Sequence, residues 1–328
     1  MIHTPFTKLV GVEVPLIGGA MYPCSNHELV AAVSEAGGIG VIQPIALNYV
    51  HGKDLAEGIK RIRGMTSKPL GFNAIIEASS NVYLERMKKW IDIALEHDVK
   101  FFVTALGNPR FVCDRVHAAG GVVFHDVTEL KWAQKALDGG VDGLICVNAR
   151  AGGHAGNREP QALFNELKGL GVPLVCAGGV GDERAFVEAL KMGYSAVQMG
   201  TRFIATTECK VHADYKAGIV AAKPEDIVLT ERISGVNVAV IANDYVKRTG
   251  TRAGPVARRM LKHPRFKHWV RSWYSLRSVW QLGRSANKAG YDAYWQAGKS
   301  VGGIERVEPA GDIVKRFAAA AEAAGIGA

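Results

Sequence analysis

From residue 14 to about residue 205 the chain alternates short, unbroken apolar runs with amphipathic stretches, eight times over. The runs are Val14–Gly18, Ile39–Gln43, Leu70–Ile76, Lys100–Leu106, Gly121–His125, Gly143–Val147, Pro173–Cys176 and Ala196–Met199. Between them the spacing predicts helices from Ser25 to a glycine stop at Gly37-Gly38, then over Leu55–Met65, Tyr83–His97, Pro109–Ala119, Glu129–Leu137, Pro160–Leu170 and Glu183–Met192. Ser25 and Glu28, three residues apart, read as a capping box. Strands that stay apolar throughout belong to a parallel sheet covered on both faces. Eight of them close a (β/α)8 TIM barrel. A doubly wound sheet is the alternative. The nearest approach to a dinucleotide fingerprint, Gly178-Gly179-Val180-Gly181, has Arg184 where the last glycine belongs, and no Walker A run is present.

After Arg202 the rhythm fails. Cys209–Ala222 reads as a helix, and Asp226–Leu229 and Val236–Ile241 as strand-like. Residues 244–300 are helical in pattern, and Ala310–Ala324 is an apolar helix suited to close the barrel's outer ring. The expected organisation is therefore a barrel over 1–205, a second, smaller, mostly helical cap domain over 206–305, and a returning helix in 306–328.

The cap holds most of the charge. The chain carries a formal +9, yet twelve Lys/Arg and no Asp or Glu fall between Asp244 and Asp292, beside Trp269, Trp273, Trp280 and Trp295. No nucleic-acid-binding motif accompanies them, so a nucleic-acid partner is not expected. The segment reads as a solvated helical cap, with a homodimer through it as one expectation, or as a site for a phosphorylated carrier such as NADPH, coenzyme A or acyl carrier protein. His263 and His268 lack metal-ligand spacing, and no metal is expected. No run is long enough to span a membrane and no signal peptide is legible. The five cysteines, at least 30 positions apart, form no CxxC pair and suggest reduced thiols in the cytoplasm.

Three glycine-rich stretches sit at strand ends, where barrel enzymes keep their chemistry. After the sixth strand comes Val147-Asn148-Ala149-Arg150-Ala151-Gly152-Gly153-His154-Ala155-Gly156, with one imidazole suited to proton transfer. Ala177-Gly178-Gly179-Val180-Gly181-Asp182 ends the seventh, and Gln198-Met199-Gly200-Thr201-Arg202 the eighth. Adjacent turns of this kind bind phosphate through backbone N–H groups, with Thr201 adding a hydroxyl and Arg202 a charge. Gly18-Gly19-Ala20-Met21 ends the first strand, where small residues let a planar ring approach. Asn73 and His125-Asp126 are polar positions at the third and fifth strand ends. Asn148 suits either a ligand hydroxyl or the bracing of its own loop. Cys24 reads as a packed thiol.

Together, Gly19-Ala20-Met21, Gly71-Phe72-Asn73, Ala151 through Gly156, Ala177-Gly178-Gly179 and Gln198 through Phe203 resemble the nitronate monooxygenase (2-nitropropane dioxygenase-like) family over about residues 5–225. The resemblance implies an FMN-dependent oxidoreductase. FMN's phosphate would lie on Gly179 and Gly200 with Thr201, its ring near Ala20, Met21 and Asn73, and Gly178 would be among the other contacts. The remaining flavin contacts would come from Asp126, Asn148, Ala151, Gly152, Gly153, Gln198 and Met199, with His154 as the catalytic group. Alkyl nitronates are the first expected substrates. NAD(P)H:quinone reductases and FMN-dependent enoyl-thioester reductases share the scaffold, with NAD(P)H as co-substrate. Cys209-Lys210-Val211-His212 is closest to the quinone-reductase-like branch. That branch carries lysine where this chain has Asp126. A non-redox phosphate-binding barrel, such as a phosphosugar lyase or isomerase, is the alternative from another class.

Overall fold

The structure is a computed structural model and describes residues 1–77, 80–233, 235–252 and 294–327. Eight parallel strands close a barrel in chain order: β1 (Leu16–Gly18), β2 (Ile39–Ile42), β3 (Leu70–Ile75), β4 (Phe101–Ala105), β5 (Val122–Val127), β6 (Gly143–Val147), β7 (Leu174–Ala177) and β8 (Ala196–Met199). The ring is sealed where Ile17 of β1 lies opposite Gln198 of β8. The strands fall within a residue or two of the apolar runs, because a sheet buried on both faces leaves little room for polar residues.

The interior is filled by Ile17, Ile39, Val41, Phe101, Val103, Phe124, Ile145, Val175 and Ala196. A short N-terminal helix, Pro5–Val10, which the strand–helix rhythm does not reveal, drives Phe6 into this interior. Its ring meets those of Phe101 and Phe124 edge-on, each at 5.7 Å. Phe101 opens β4, so the plug lies toward the amino ends of the strands, leaving the carboxyl ends as the mouth. Side chains alternate along a strand. Asp126, two residues beyond Phe124, therefore faces inward near the mouth, as does Gln198, two beyond Ala196. Asn73 shares that side, being in register with the interior residue Val103.

The structure revises the sequence reading locally after β1 and β2. The helix after β1 spans His27–Glu35 with Asn26 at its N-cap, so Ser25 and Glu28 form no capping box. The Ser25 hydroxyl instead accepts the Met21 N–H at 2.9 Å, closing the turn after β1. A further helix, Pro44–Tyr49, follows β2; the Gln43 side chain caps it by accepting the Ala46 N–H at 2.7 Å.

Of the expected cap over 206–305, the structure describes 206–233, 235–252 and 294–305. Between 206 and 252 they fold into a helix over Ala213–Ala221, an antiparallel pair β9 (Ile227–Thr230) and β10 (Val238–Ile241), and a helix over Asp244–Thr249. Ile233, Val238, Val240, Val246 and Tyr294 make a small core there. The hairpin is joined to the barrel's β6 loop by the Gly153–Ala239 bridge. Most of the basic run, with Trp269, Trp273, Trp280, His263 and His268, lies outside the described residues.

The helix Ala310–Ala323 packs beside both Glu183–Lys191 and His27–Glu35, the station of an eighth outer helix. Phe317 meets Phe186 there at 5.3 Å. Among the described residues no helix is long and apolar enough to cross a membrane.

Candidate active site

The site is built from the loop after β6 outward. Asn148 is fully buried and its amide is engaged within the protein at both ends. Nδ2 donates to the Gly178 carbonyl at 3.0 Å, and Oδ1 accepts the Arg150 N–H at 2.8 Å. Of the two uses its position suggests, the bracing of its own loop is the one these bonds perform. Gly178 has φ +120° and Gly179 φ +84°, backbone that favours glycine. Space agrees with conformation at Gly178: an added Cβ would lie 2.5 Å from the Ala151 nitrogen and 2.6 Å from Asn148 Oδ1.

The turn after β8 reaches the same spot. A Cβ on Gly152 would lie 3.3 Å from Thr201 Oγ1 and 2.9 Å from the Gly298 nitrogen. Thr201 Oγ1 accepts that Gly298 N–H at 3.0 Å, leaving its own proton available for donation. A Cβ on Gly200 would lie 3.3 Å from Met21 Sδ, and one on Gly19 would lie 3.0 Å from Gln198 Cγ. The structure therefore brings Gly19, Met21, Ala151, Gly152, Gly178, Gln198, Gly200 and Thr201 into one contiguous region. Ala20 packs on the interior cluster beside them.

The two turns carry donors without partners. The N–H groups of Gly179, Val180, Gly200 and Thr201 donate to no acceptor among the described residues. Successive unpaired N–H groups on glycine turns form a concavity for an anion. Asn73, Asp126 and Gln198 line the barrel below with amide and carboxyl groups. Asp126 Oδ1 is buried with no hydrogen-bond partner, and burial alone pushes the carboxyl pKa up to about 7. Such a lining fits a phosphorylated, polar heteroaromatic ring: it supplies donors for the phosphate and edge contacts for the ring.

His154 lies beyond Gly153, whose carbonyl accepts the Ala239 N–H at 2.7 Å. Its residue surface is exposed, but crowding by protein atoms holds its pKa below 6.5. The imidazole is neutral at pH 7 and able to take a proton.

Three residues turn away from the mouth. Met199 is buried in the outer core, and its carbonyl accepts the Gly19 N–H at 2.9 Å; it offers a ligand no side chain. Arg202, 2% exposed, is paired with Glu308 and adds no charge at the phosphate turns. His125 holds Thr104 Oγ1 at 2.8 Å within the wall, and burial lowers its pKa to about 4. Cys24 is buried, with the Cys209 thiol donating to its carbonyl at 3.5 Å.

Two contributors were not read from the sequence. The stretch Ala297–Lys299 seals the site, Lys299 N–H donating to the Arg150 carbonyl at 2.9 Å. Its one signal was Gly298, where a Cβ would fall 2.6 Å from that carbonyl oxygen. His51, whose Nε2 lies 2.6 Å from the Pro23 carbonyl, fastens the β1 loop and carried no signal.

A closed parallel barrel with unpartnered backbone donors on the turns after β7 and β8, and an imidazole on the loop before them, has the layout of a (β/α)8 enzyme with its site at the carboxyl ends of the strands. The sequence model for nitronate monooxygenase matches residues 3–319, and the chain belongs to that family. It is a flavin-dependent oxidoreductase. A nitronate monooxygenase of Pseudomonas aeruginosa is 28% identical over 281 residues, covering 73% of this chain and 79% of that one. A (3aS,4S,5R,7aS)-5-hydroxy-7a-methyl-1-oxo-octahydro-1H-indene-4-carboxyl-CoA dehydrogenase of Rhodococcus jostii is 30% identical over 260 residues, 78% of this chain and 71% of that one. FabK from Thermotoga maritima superposes with a TM-score of 0.82 at 26% identity, covering 99% of this chain and 98% of the other.

Proposed function

We propose that the chain binds FMN and oxidises alkyl nitronates. The observation that carries this reading is the set of unpartnered N–H groups at Gly179, Val180, Gly200 and Thr201, contiguous with the small residues of the β1 loop. These donors, with the Thr201 hydroxyl, would hold the FMN phosphate. Ala20 and Met21 would lie along the ring, and Asn73, Asp126 and Gln198 would meet its polar edges. When bound, FMN supplies the electron-accepting centre that the side chains lack. His154 does the proton work. As a neutral imidazole it accepts the α-proton of a nitroalkane at its unprotonated ring nitrogen, and its N–H donates to a nitronate oxygen. The five unlinked thiols fit a reducing compartment such as the cytoplasm.

A second reading, oxidation or reduction of a coenzyme A thioester, is favoured by one feature. The basic run between Asp244 and Asp292 suits a phosphorylated carrier, and the Rhodococcus relative is named for a CoA thioester. Anaerobic mixing separates the two. Bleaching of the bound flavin by a nitronate, but not by NADH, NADPH or an acyl-CoA, supports the first. Bleaching only by NAD(P)H or an acyl-CoA overturns it, and a purified protein that takes up no FMN overturns both.

A further inference from the structure

Among the described residues, Asp126 is the one carboxyl group that the fold turns into the barrel without giving it a partner. It follows Phe124 on β5 by two residues, so it shares the inward face, and it sits opposite Ile145 of β6. Its Oδ1 is buried and accepts no hydrogen bond, while the rest of the residue keeps partial exposure toward the mouth. A buried polar atom left unsatisfied costs stability unless a ligand completes it.

Among the described residues, no group on the flanking strands favours its ionised form. On β4 the chain offers only Phe101-Phe102-Val103-Thr104-Ala105, with no titratable group. On β6 the sole titratable group is Cys146, whose thiol is itself pushed up by burial. His125, on its own strand, is neutral and turned to Thr104. His154, on the loop after β6, is neutral at pH 7. No cation among them compensates a carboxylate, so burial governs.

We propose that Asp126 meets the bound flavin as a carboxylic acid, donating its proton in a hydrogen bond to an acceptor nitrogen or oxygen on the ring's edge. It thereby makes flavin binding a function of pH. This rests on the FMN reading above and goes beyond it by assigning a protonation state and a consequence. Loss of the proton replaces a donor by a negative charge facing the same acceptor. That reverses the contact from attraction to repulsion.

The test is FMN titration of the apoprotein by flavin fluorescence, from pH 5.5 to 8.5. Wild type is expected to lose affinity about tenfold as pH rises through 7, the ratio that one unit of ligand-linked pKa shift produces. Asp126→Asn, equal in size and donating at every pH, is expected to bind across the range with no such slope. A wild-type slope that persists in Asp126→Asn overturns the proposal, as does a flat wild-type profile. Binding of no FMN at any pH overturns both it and the flavin reading, whereas tight binding without a slope overturns it alone. Infrared difference spectra of wild type at pH 6 give a check independent of the variant. A protonated-carboxyl stretch that shifts when FMN is added supports the proposal, and its absence overturns it.

Discussion

Thr201 and Gly298 are tied by a hydrogen bond of 3.0 Å from the Gly298 N–H to the Thr201 hydroxyl oxygen, across 97 residues of chain. The turn after β8 is therefore held by a segment that follows the β9–β10 hairpin in the chain. Gly298 has no room for a side chain: a Cβ would lie 2.6 Å from both the Arg150 oxygen and the Gly152 nitrogen. Gly298→Ala is expected to push the Ala151–His154 loop off the barrel. Overpacking of this kind costs roughly 1–3 kcal/mol. Thermal unfolding should show the loss, and FMN titration should show weaker binding in the folded fraction. Unchanged affinity would separate the loop from the flavin site.

His154→Ala is expected to retain the flavin, because the donors on the β7 and β8 turns are backbone groups. It should lose about 100-fold or more in turnover with a nitroalkane, the range for removing a positioned acid–base group. Preformed nitronate, which needs no proton removed, should suffer less. The imidazole's pKa lies below 6.5, so the acid limb of the wild-type rate profile should fall below that pH and vanish in the variant. Equal losses on nitroalkane and nitronate would remove the base role.

The barrel was legible because its strands are buried on both faces and so stand out as unbroken apolar runs. The glycine turns were legible for a related reason: Gly178 must adopt a φ that a side chain would strain, and sequence records that requirement directly. What sequence does not record is which partner a residue finds far along the chain. Arg202 looks like a phosphate ligand by its place after Thr201, yet Glu308, 106 positions later, claims it. Ser25 looks like a helix cap, but the turn from Met21 uses its hydroxyl first. Asp126 was visible as a polar residue at a strand end. That it faces inward follows from the register with Ile145, and that its Oδ1 accepts no hydrogen bond follows from what packs around it.

The same carboxyl should leave a mark on the apoprotein. Asp126 has a folded pKa of about 7 against an ordinary 3.8, so between those values the folded state binds more protons than the unfolded one. Stability is then fully present below 3.8, falls as pH rises, and levels above about 7. The slope approaches ~1.4 kcal/mol per pH unit at most. Urea unfolding of wild type and Asp126→Asn at pH 5 and pH 7.5 checks this. The variant should lose less stability than wild type over that interval, and equal losses would show that Asp126 titrates normally.

Glu308 carries the opposite sign. It pairs with the buried Arg202 and with Arg316, whose Nη1 lies 2.7 Å away, and Arg316 also holds Glu183. The Arg316 hydrogen bond leads in pulling the Glu308 pKa down to about 2. Burial nevertheless lowers the pKa of Arg202, so the carboxylate does not fully offset the guanidinium's desolvation. Removing that carboxylate leaves a buried cation whose one remaining acceptor among the described residues is the Arg306 carbonyl. Glu308→Ala should therefore destabilise the fold by about 3–5 kcal/mol, the cost of breaking a buried pair from one side. Because the folded pKa is depressed, the contribution is complete above 4.5 and is lost as pH falls toward 2. Denaturant unfolding at pH 7 and pH 3 should find the gap between wild type and Glu308→Ala narrowing in acid. A gap that stays constant would mean that the loss comes from packing around the C-terminal helix and not from charge.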